Sequence, residues 1–289
     1  MKHVRFIINP ISGVGKKNKL PGLIEEHLDK TLFTYDIVYT EIRGHAAEIA
    51  RASIEEQIAI LVIVGGDGSI SETAAVLVGS NITLAIIPCG SGNGIARHFN
   101  IPLDLKKAIQ LINSQSTITI DIGTMNDRTF TGFCGFGYDA LIAHRFDNVS
   151  KRGFWSYAKL VLKQLKNFNP IEVECLESGK KWENIFFCSV ANTSQFGSNF
   201  RMSPGSFATD GKLELIIVKK PSFFQFAGLL YKSYFGDVRK SKHTETISSA
   251  NFHFRLNTTL AHIDGDPFHL TTNTIKIDCI PKSLRIIAK

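Results

Sequence analysis

The sequence predicts an α/β N-terminal domain with an open, mostly parallel sheet, followed by a mainly antiparallel β C-terminal domain. Up to about Ile122, apolar runs of strand length alternate with helix-length segments, which is the order of a parallel sheet with right-handed crossovers. Beyond it, Thr258 to Ile287 alternates apolar and polar residues around turns at Gly265 and Pro281, as antiparallel sheet does. We therefore predict two domains, residues 1–122 and residues 123–289.

The composition is that of a folded protein without disulfides. The chain has 289 residues, of which 44% are hydrophobic, and this suffices for sizeable cores. Five cysteines without CxxC spacing argue against a disulfide framework or a zinc site and favour a reduced, cytoplasmic setting. The longest apolar run, Ile58 to Val64, is too short to span a bilayer, and the N-terminal run is too short for a signal peptide.

The first elements follow from short apolar runs. Val4 to Asn9 is predicted as a strand that leaves through the irregular turn Asn9-Pro10-Ile11-Ser12-Gly13, because Pro and Gly interrupt regular structure. Leu20 to Leu32 is predicted as a helix and Thr34 to Thr40 as the second strand. His45 opens the next helix, where we expect a structural role rather than a chemical one.

A buried strand and a glycine-rich turn come next. Ala59 to Val64 has no alternation, which is typical of a strand covered on both faces. Gly65, Gly66 and Gly68 have no Cβ, so they can take positive φ and let backbone N–H groups approach an anion closely. Ser69 and Ser71 are expected to cap the following helix. The turn suits a phosphate, and the alternative is a tight strand-to-helix connection without a ligand.

A second glycine-rich turn follows one βα unit later. Thr83 to Phe99 runs from an apolar strand through Gly90-Ser91-Gly92-Asn93-Gly94 into a helix. Two such turns at the carboxyl ends of neighbouring strands form one crevice, the usual ligand position in open α/β sheets. A helix at Asp104 to Ser114 and a strand at Thr117 to Ile122 complete the predicted domain, and two helices are expected between Tyr138 and Phe168.

Two other glycine patterns are rejected. Residues 13–16 suggest a phosphate-binding P-loop, but the pattern GxxxxGK[ST] is absent. Gly135 to Ala140 matches the dinucleotide-binding pattern GxGxxA, yet no βαβ unit encloses it and no acid follows about twenty residues later at a strand end.

Several short motifs together resemble those of the diacylglycerol kinase catalytic-domain family. NPxSG at Asn9 to Gly13, GGDGS at Gly65 to Ser69 and PxGSGN at Pro88 to Asn93 carry the resemblance. It continues through DIG at 121–123, GYDA at 137–140, DGKL at 210–213 and DGD at 264–266. The family holds bacterial diacylglycerol and related lipid kinases, sphingosine kinases and ceramide kinases, and it is related to NAD kinases. The resemblance implies an NAD kinase-like fold with the nucleotide site in the cleft between the two domains.

The resemblance also implies which residues meet ATP and Mg²⁺. The expected ATP-binding positions are Asn9, Pro10, Ser12, Gly13, Thr40, Gly65, Gly66, Asp67, Gly68, Ser69, Gly90, Ser91, Gly92 and Asn93. Asp67 is expected to hold Mg²⁺, which takes only one or two carboxylates and keeps several waters. A structural Mg²⁺ is expected at Asp210 with backbone oxygens near Phe207 and Lys212, whereas the residues alone equally allow a hairpin turn at Asp210-Gly211.

We expect Asp266 to be the general base, with Asp121 and Asp264 as supporting carboxylates. The family usually has glutamate at the position of Asp266, so the carboxylate here is shorter by one bond, roughly 1.5 Å. A displacement of about 1 Å can cost on the order of 10²-fold in rate. Gly94, where the diacylglycerol kinase branch typically has Asp, leans with Ser91 toward the sphingosine kinase-like branch. The alternative for residues 264–266 is a plain surface turn.

Basic residues cluster in one region of a chain whose net charge is +7. Lys219 to His243 holds six Lys or Arg and one acid around the aromatic run SFFQFAGLLYKSYF. This pattern suits an anionic membrane surface, and the alternative is a helix whose aromatic face packs into its own core. No nucleic-acid module is recognisable.

The leading hypothesis is an ATP-dependent lipid kinase that phosphorylates a primary hydroxyl of a diacylglycerol-like or sphingoid-like lipid at the membrane surface. A homodimer is among the expected assemblies. The alternatives are a soluble-acceptor kinase of NAD kinase type and a nucleotide- or lipid-binding regulator without catalysis, the latter because Asp266 and Gly94 depart from the family pattern.

Overall fold

The computed structural model describes residues 1–10, 19–147 and 154–289. The chain divides into two compact units. The first comprises Met1–Ile122, Gly197–Asn199 and Pro281–Lys289, and the second comprises Gly123–Phe196 and Phe200–Ile280. The last residues of the chain therefore join the first unit, a return that the sequence did not indicate.

The first unit is an α/β structure, as predicted. Its strands are β1 (Lys2–Ile8), β2 (Phe33–Tyr39), β3 (Ile60–Gly65), β4 (Thr83–Pro88) and the first part of β5 (Thr117–Met125). Its helices are α1 (Leu20–His27), α2 (His45–Glu55), α3 (Asp67–Leu77), α4 (Gly94–His98) and α5 (Leu105–Asn113). The strands β2, β1, β3 and β4 pair side by side in that order, all parallel.

Burial in this sheet follows the sequence pattern. Every residue of β3 is buried, as expected for a strand that helices cover on both faces. The amphipathic helix α5 buries Ala108, Ile109, Leu111 and Ile112, and the carboxylate of Asp104 accepts from the backbone N–H of Lys107 at 3.0 Å to begin it. The apolar runs alone thus locate the first sheet and its helices.

The second unit is mainly antiparallel β, as predicted. Its strands are β6 (Arg128–Phe130), β7 (Phe133–Gly137), β8 (Ile171–Cys175), β9 (Lys181–Ala191), β10 (Leu213–Lys219), β11 (Thr244–Ser249), β12 (Asn251–Leu256), β13 (Leu260–Ile263), β14 (Asp266–His269) and β15 (Thr274–Ile287). Its helices are α6 (Tyr138–Asp147), α7 (Phe154–Gln164) and α8 (Phe223–Phe235). The long strand β9 pairs antiparallel with β7, β8 and β10.

The core of the second unit is rich in aromatic side chains. Tyr138 and Phe186 stack with ring centroids 4.3 Å apart, and Phe168 and Phe226 meet Phe186 edge to face. These contacts pack α8 and the segment after α7 against the sheet through buried rings. None of the helices in the described part of the chain has the length and apolar character needed to cross a bilayer.

The predicted turn at Pro281 is wrong. β15 continues through Pro281 to Ile287, with Lys282 at φ 48° as an irregular point within it. Its early part pairs antiparallel with β12, whereas Arg285 and Ile286 pair parallel with β4. The strand continues because its last residues, Leu284 and Ile286 to Ala288, are buried in the first unit.

Candidate functional site

Within the described part of the chain, the predicted nucleotide residues of the first unit gather at one edge of its sheet. Since β1 to β4 are parallel, their carboxyl ends lie at the same edge, and the chain order reverses between β1 and β3. The side-chain amide of Asn9 donates to Ser69 Oγ at 3.2 Å, joining the end of β1 to α3. The backbone N–H of Thr40 donates to Ile8 O at 2.9 Å, which places Thr40 at the same edge.

The first glycine-rich turn leads directly into α3. Gly66 is the N-cap, with extended backbone (φ −96°, ψ −178°), and the helix begins at Asp67. Ser69 and Ser71 therefore lie within the helix, and the prediction that they cap it is wrong. The first N–H groups of a helix point along its axis and, with its dipole, attract anions. The start of α3 therefore has the form of an anion-binding helix terminus, and its role as a phosphate position stays a prediction.

The glycines are needed for close packing rather than for positive φ. Gly65, Gly66 and Gly68 are all outside the positive-φ region, so none of them uses this freedom of glycine. A Cβ on Gly90 would lie 2.6 Å from Gly66 Cα, and a Cβ on Gly66 would lie 3.1 Å from Gly90 Cα. The two turns touch backbone to backbone, so a side chain at either position has no room.

The second turn is held by Asn93, which takes the left-handed conformation at φ 51°. Asn is one of the few non-glycine residues that tolerate it. The side-chain oxygen of Asn93 accepts from Gly90 N at 2.8 Å, and its amide donates to Gly90 O at 2.9 Å. Asp67 Oδ1 accepts from Ile95 N at 3.1 Å, which ties the first turn to α4. One residue therefore closes the loop, and an acid of the other turn anchors it.

Residues that sequence reasoning missed brace the second turn. Ser198 N donates to Gly92 O at 2.9 Å, and Arg97 Nε donates to the same carbonyl at 3.2 Å. Arg97 Nη1 also donates to Asn199 Oδ1 at 3.0 Å. Because residues 197–199 are far away in sequence, no local pattern could reveal this contact.

The remaining predicted residues differ in their exposure. Ser91 is exposed and Gly92 half-buried on the turn, and Pro10 is exposed after β1. Ser12 and Gly13 lie outside the described residues, so their predicted role stays a prediction. His98, at the end of α4, is largely buried, and this burial lowers the pKa of its imidazole to about 4.

Asp121 is fully buried on β5. Its carboxylate accepts from the backbone N–H of Lys282 at 2.7 Å, at the irregular point of β15. This contact supports a structural role, whereas the predicted catalytic role of Asp121 stays a prediction.

Asp264 is the first residue of a two-residue hairpin turn in the second unit, and Asp266 directly follows this turn. Asp264 and Gly265 have φ of 49° and 89°, and Ile263 pairs with Asp266, which is the geometry of a type I′ turn. The Asp264 carboxylate accepts from the backbone N–H groups of three consecutive residues, Thr131 at 2.8 Å, Gly132 at 2.8 Å and Phe133 at 2.9 Å. Asp266 is exposed at the first position of β14.

A buried polar cluster lies beneath this hairpin. His262 precedes Asp264 by two residues on β13, and its Nε2 lies 2.8 Å from Asp139 Oδ2. Ser189 Oγ donates to the same oxygen at 2.6 Å. A Cβ on Gly135 would come within 2.0 Å of that oxygen, so the glycine of the rejected GxGxxA pattern makes room for the cluster. The cluster therefore fixes the strand that leads to Asp266.

The predicted structural metal residues form an exposed turn before β10. Asp210 Oδ1 accepts from Lys212 N at 3.0 Å, and Asp210 N donates to Phe207 O at 3.5 Å. Burial raises the pKa of the nearby Glu214 carboxyl. The positive charge of Arg239 lowers this pKa, and the negative charge of Asp210 raises it. Among the described residues no three His, Cys, Asp or Glu side chains cluster as a metal cage would. The turn supplies one carboxylate and backbone oxygens, and its metal role stays a prediction.

Two adjacent surface cavities of about 300 and 330 Å³ lie in the second unit. Residues of β8, β9 and β12 and the loop before β15 line them. Neither cavity includes a residue predicted to bind ATP, Mg²⁺ or the transferred proton.

Two family models match consecutive parts of the chain. Residues 3–125 match the diacylglycerol kinase catalytic domain, and residues 132–288 match the YegS C-terminal NAD kinase beta sandwich-like domain. The diacylglycerol kinase of Bacillus subtilis is 28% identical over 84% of this chain and 82% of its own length. That of Mycobacterium tuberculosis is 24% identical over 98% of this chain and 94% of its own length.

Solved structures show the same fold. A diacylglycerol kinase from Bacillus anthracis covers 100% of this chain and 97% of its own, with a TM-score of 0.73 at 19% identity. An NAD kinase from Archaeoglobus fulgidus, solved in complex with ATP, covers 98% of this chain and 93% of its own, with a TM-score of 0.51 at 13% identity. At these identities the likeness concerns the fold alone.

Proposed function

The chain belongs to the diacylglycerol kinase catalytic-domain family, and from this premise we propose that it is an ATP-dependent lipid kinase. It transfers the γ-phosphate to a primary hydroxyl of a diacylglycerol-like or sphingoid-like lipid at a membrane surface. The observation that carries the proposal is the contact of the two glycine-rich turns at the edge of the first sheet, where Gly66 and Gly90 meet without side chains.

The residues at this edge fit a triphosphate. The start of α3 presents backbone N–H groups, and the absence of Cβ atoms at Gly66 and Gly90 lets an anion come close to the main chain. Asn93 and residues 197–199 keep the second turn rigid, so little ordering is needed when a nucleotide binds.

Mg²⁺ fits here as an ion that arrives with the nucleotide. Asp67 is the one carboxylate of the two turns, and one of its oxygens is bound to Ile95 N. Mg²⁺ takes one or two carboxylates, several waters and phosphate oxygens, so this donor set suffices for an ion shared with a triphosphate. Bound Mg-ATP supplies the transferable phosphoryl group and offsets the negative charge of its oxygens.

Asp266 is the proposed acceptor of the proton from the lipid hydroxyl. Its exposure at the hairpin tip gives a substrate access to it. Asp264 holds the tip through three backbone hydrogen bonds, which restricts the movement of the neighbouring carboxylate. A rigid backbone here matters because an aspartate reaches less far than the glutamate implied by the family resemblance.

Transfer of labelled γ-phosphate from Mg-ATP to a lipid panel tests the proposal. The panel contains diacylglycerol, monoacylglycerol, phosphatidylglycerol, sphingosine and ceramide in detergent micelles, with NAD as a soluble acceptor. We expect one lipid class to be labelled. Asp266→Ala should lower kcat by roughly 10²- to 10⁴-fold, the usual contribution of a general base. Asp266→Glu, which keeps the carboxylate, should retain at least about a tenth of the rate.

Asp127→Asn is the control, because Asp127 is an exposed carboxylate on a turn of the same unit. It should leave the rate unchanged. Labelling of NAD but no lipid would replace the proposal by a soluble-acceptor kinase. Tight Mg-ATP binding with no labelled acceptor would replace it by a non-catalytic regulator.

A further inference from the structure

Helix α8 exposes a continuous aromatic face. The exposed fractions of Phe224, Phe235, Tyr231 and Phe223 are 86%, 79%, 66% and 61%. At about 100° per residue, positions 224, 231 and 235 fall on one stripe of the helix. We call Phe224, Tyr231 and Phe235 the α8 aromatic face. Single exposed apolar residues are ordinary, whereas several on one element mark an interaction surface.

The opposite face of α8 is firmly packed, so the exposure belongs to a fixed helix. Phe226, Leu229 and Ser233 are buried, and the ring of Phe226 meets Phe186 of β9 edge to face. The side chain of Gln225 accepts from Ser222 N at 2.8 Å, which fixes the start of the helix. The aromatic face is therefore preformed on a rigid element. The alternative of an aromatic side packed into the protein's own core therefore holds for one side of the helix, while the other side stays exposed.

Lysines flank this face along the chain. Lys219 precedes α8, Lys232 lies on it, and Lys240 and Lys242 follow it. The ammonium of Lys232 donates to Lys240 O at 3.0 Å, which holds the following segment against the helix. The single acid between residues 219 and 243, Asp237, pairs with Arg239 at 2.8 Å. The lysines thus give the face a net positive border.

We infer that α8 docks the protein on an anionic lipid bilayer, with the α8 aromatic face in the acyl–headgroup boundary and the lysines on the lipid phosphates. An in-plane helix with an aromatic side and basic flanks is the form that binds such surfaces. This inference deepens the proposed function, which supplies its purpose, since a kinase of membrane lipids must reach its substrate at the bilayer.

The border charge favours a bilayer over a second copy of the chain. Two copies that met through this face would bring their lysine borders together, and like charges repel. An anionic bilayer supplies the opposite charge over the whole border. The length of α8, 13 residues or roughly 20 Å, also fits a helix that lies in the interface rather than across it.

Co-sedimentation with vesicles, without ATP or a substrate lipid, tests this inference. Wild type should bind vesicles of phosphatidylcholine with phosphatidylglycerol at low salt. It should bind far more weakly to vesicles of phosphatidylcholine alone, and far more weakly to the mixed vesicles at high salt. The triple variant Phe224→Ser/Tyr231→Ser/Phe235→Ser should bind roughly a hundredfold more weakly. Lys240→Gln/Lys242→Gln should bind roughly tenfold more weakly, since each lysine contributes electrostatic attraction. Circular dichroism and thermal melts confirm that the variants are folded.

Ile42→Ser/Leu103→Ser is the matched control, because it removes exposed apolar side chains of the first unit. It should bind as wild type does. In a second readout, Phe224→Trp should show a blue-shifted emission only with anionic vesicles. Unchanged binding of the triple variant, or equal binding to neutral vesicles, would overturn the inference. So would sedimentation equilibrium that shows a wild-type dimer and a monomeric triple variant.

Failure of docking and failure of the kinase are distinguishable. If the protein phosphorylates lipid in micelles but does not bind vesicles, the docking inference is wrong and the proposed kinase activity stands. If wild type binds vesicles and the triple variant does not, but no lipid is phosphorylated, the docking inference stands and the proposed kinase activity is wrong.

Discussion

The carboxylate of Asp264 binds three backbone N–H groups, so its replacement should act mainly on stability. Asn tolerates φ 49° as Asp does, and Asp264→Asn therefore isolates the hydrogen bonds from the backbone conformation. At least one N–H group loses its acceptor, which costs about 1–3 kcal/mol when the group is buried. For a chain of this size we expect Tm to fall by a few degrees or more, measured by calorimetry.

Asp266→Asn is the comparison that separates the two acids of this hairpin. Asp266 is exposed, so its replacement should change Tm less than Asp264→Asn does while lowering the transfer rate more. If Asp264→Asn kept the full Tm and abolished transfer, Asp264 would be a catalytic acid rather than the residue that positions the hairpin.

His98 should make the protein sensitive to acid. Burial lowers the pKa of His98 to about 4 from 6.5, so the unfolded chain binds a proton in this range and the folded chain does not. Stability is therefore complete above about pH 6.5 and falls as the pH drops from there toward 4, by at most about 3 kcal/mol. Urea unfolding of wild type and His98→Gln between about pH 7 and pH 4 measures this loss.

The difference between the two proteins is the informative quantity, because other titrating groups contribute equally to both. The free-energy advantage of wild type over His98→Gln should shrink as the pH falls. Parallel curves across the range would show that the imidazole is not protected from protonation in the folded state.

At the scale of elements, the contact between the two glycine-rich turns decides which glycines can be replaced. Gly90→Ala should destabilise the protein by about 1–3 kcal/mol and weaken ATP binding, because its Cβ meets the backbone of Gly66 at 2.6 Å. A backbone neighbour cannot rotate away as a side chain can. Urea unfolding measures the first effect and calorimetric titration with ATP measures the second.

Gly68→Ala is the matched control within the same motif. No atom lies within 4 Å of a Cβ at Gly68, and the residue is inside α3 without positive φ. Alanine there should stabilise the helix by about 0.5–1 kcal/mol. Equal losses of stability in both variants would mean that the turns do not meet as closely as the structure indicates.

The same contact explains why these glycines are needed although they do not have positive φ. Glycines in a turn suggest positive φ, yet the left-handed position of the second turn is occupied by Asn93. Gly66 and Gly90 instead lie against each other in the turns that follow the neighbouring strands β3 and β4. A local sequence pattern shows where the backbone can adopt unusual φ and ψ angles. Only the pairing of β3 with β4 shows that the two turns leave no space for a side chain.

At the scale of the whole molecule, the first unit is formed by segments that are not contiguous in the sequence. Residues 197–199 and 281–289 belong to the first unit although they come after most of the second. The first of these segments braces the second glycine-rich turn, and the other adds Arg285 and Ile286 beside β4. Any truncation near the C-terminus would therefore affect the sheet that carries the proposed nucleotide site.

The sequence by itself determined the fold class, the family and most elements of the first unit. Runs such as Ile60 to Val64 are buried on both faces because none of their side chains is polar and suited to face water. Motif residues at the ends of such runs could also be assigned to one edge, since parallel strands end on the same side.

Only the tertiary structure decided how those motif residues are held. Arg97 and the 197–199 segment form hydrogen bonds between positions far apart in the chain, and Asp264 reaches residues 131–133 from a distant hairpin turn. The division of α8 into a buried and an exposed side was equally undecided, because apolar side chains occur on both sides. Local patterns record whether a residue prefers burial, whereas the partner that buries it depends on which distant strands and helices meet.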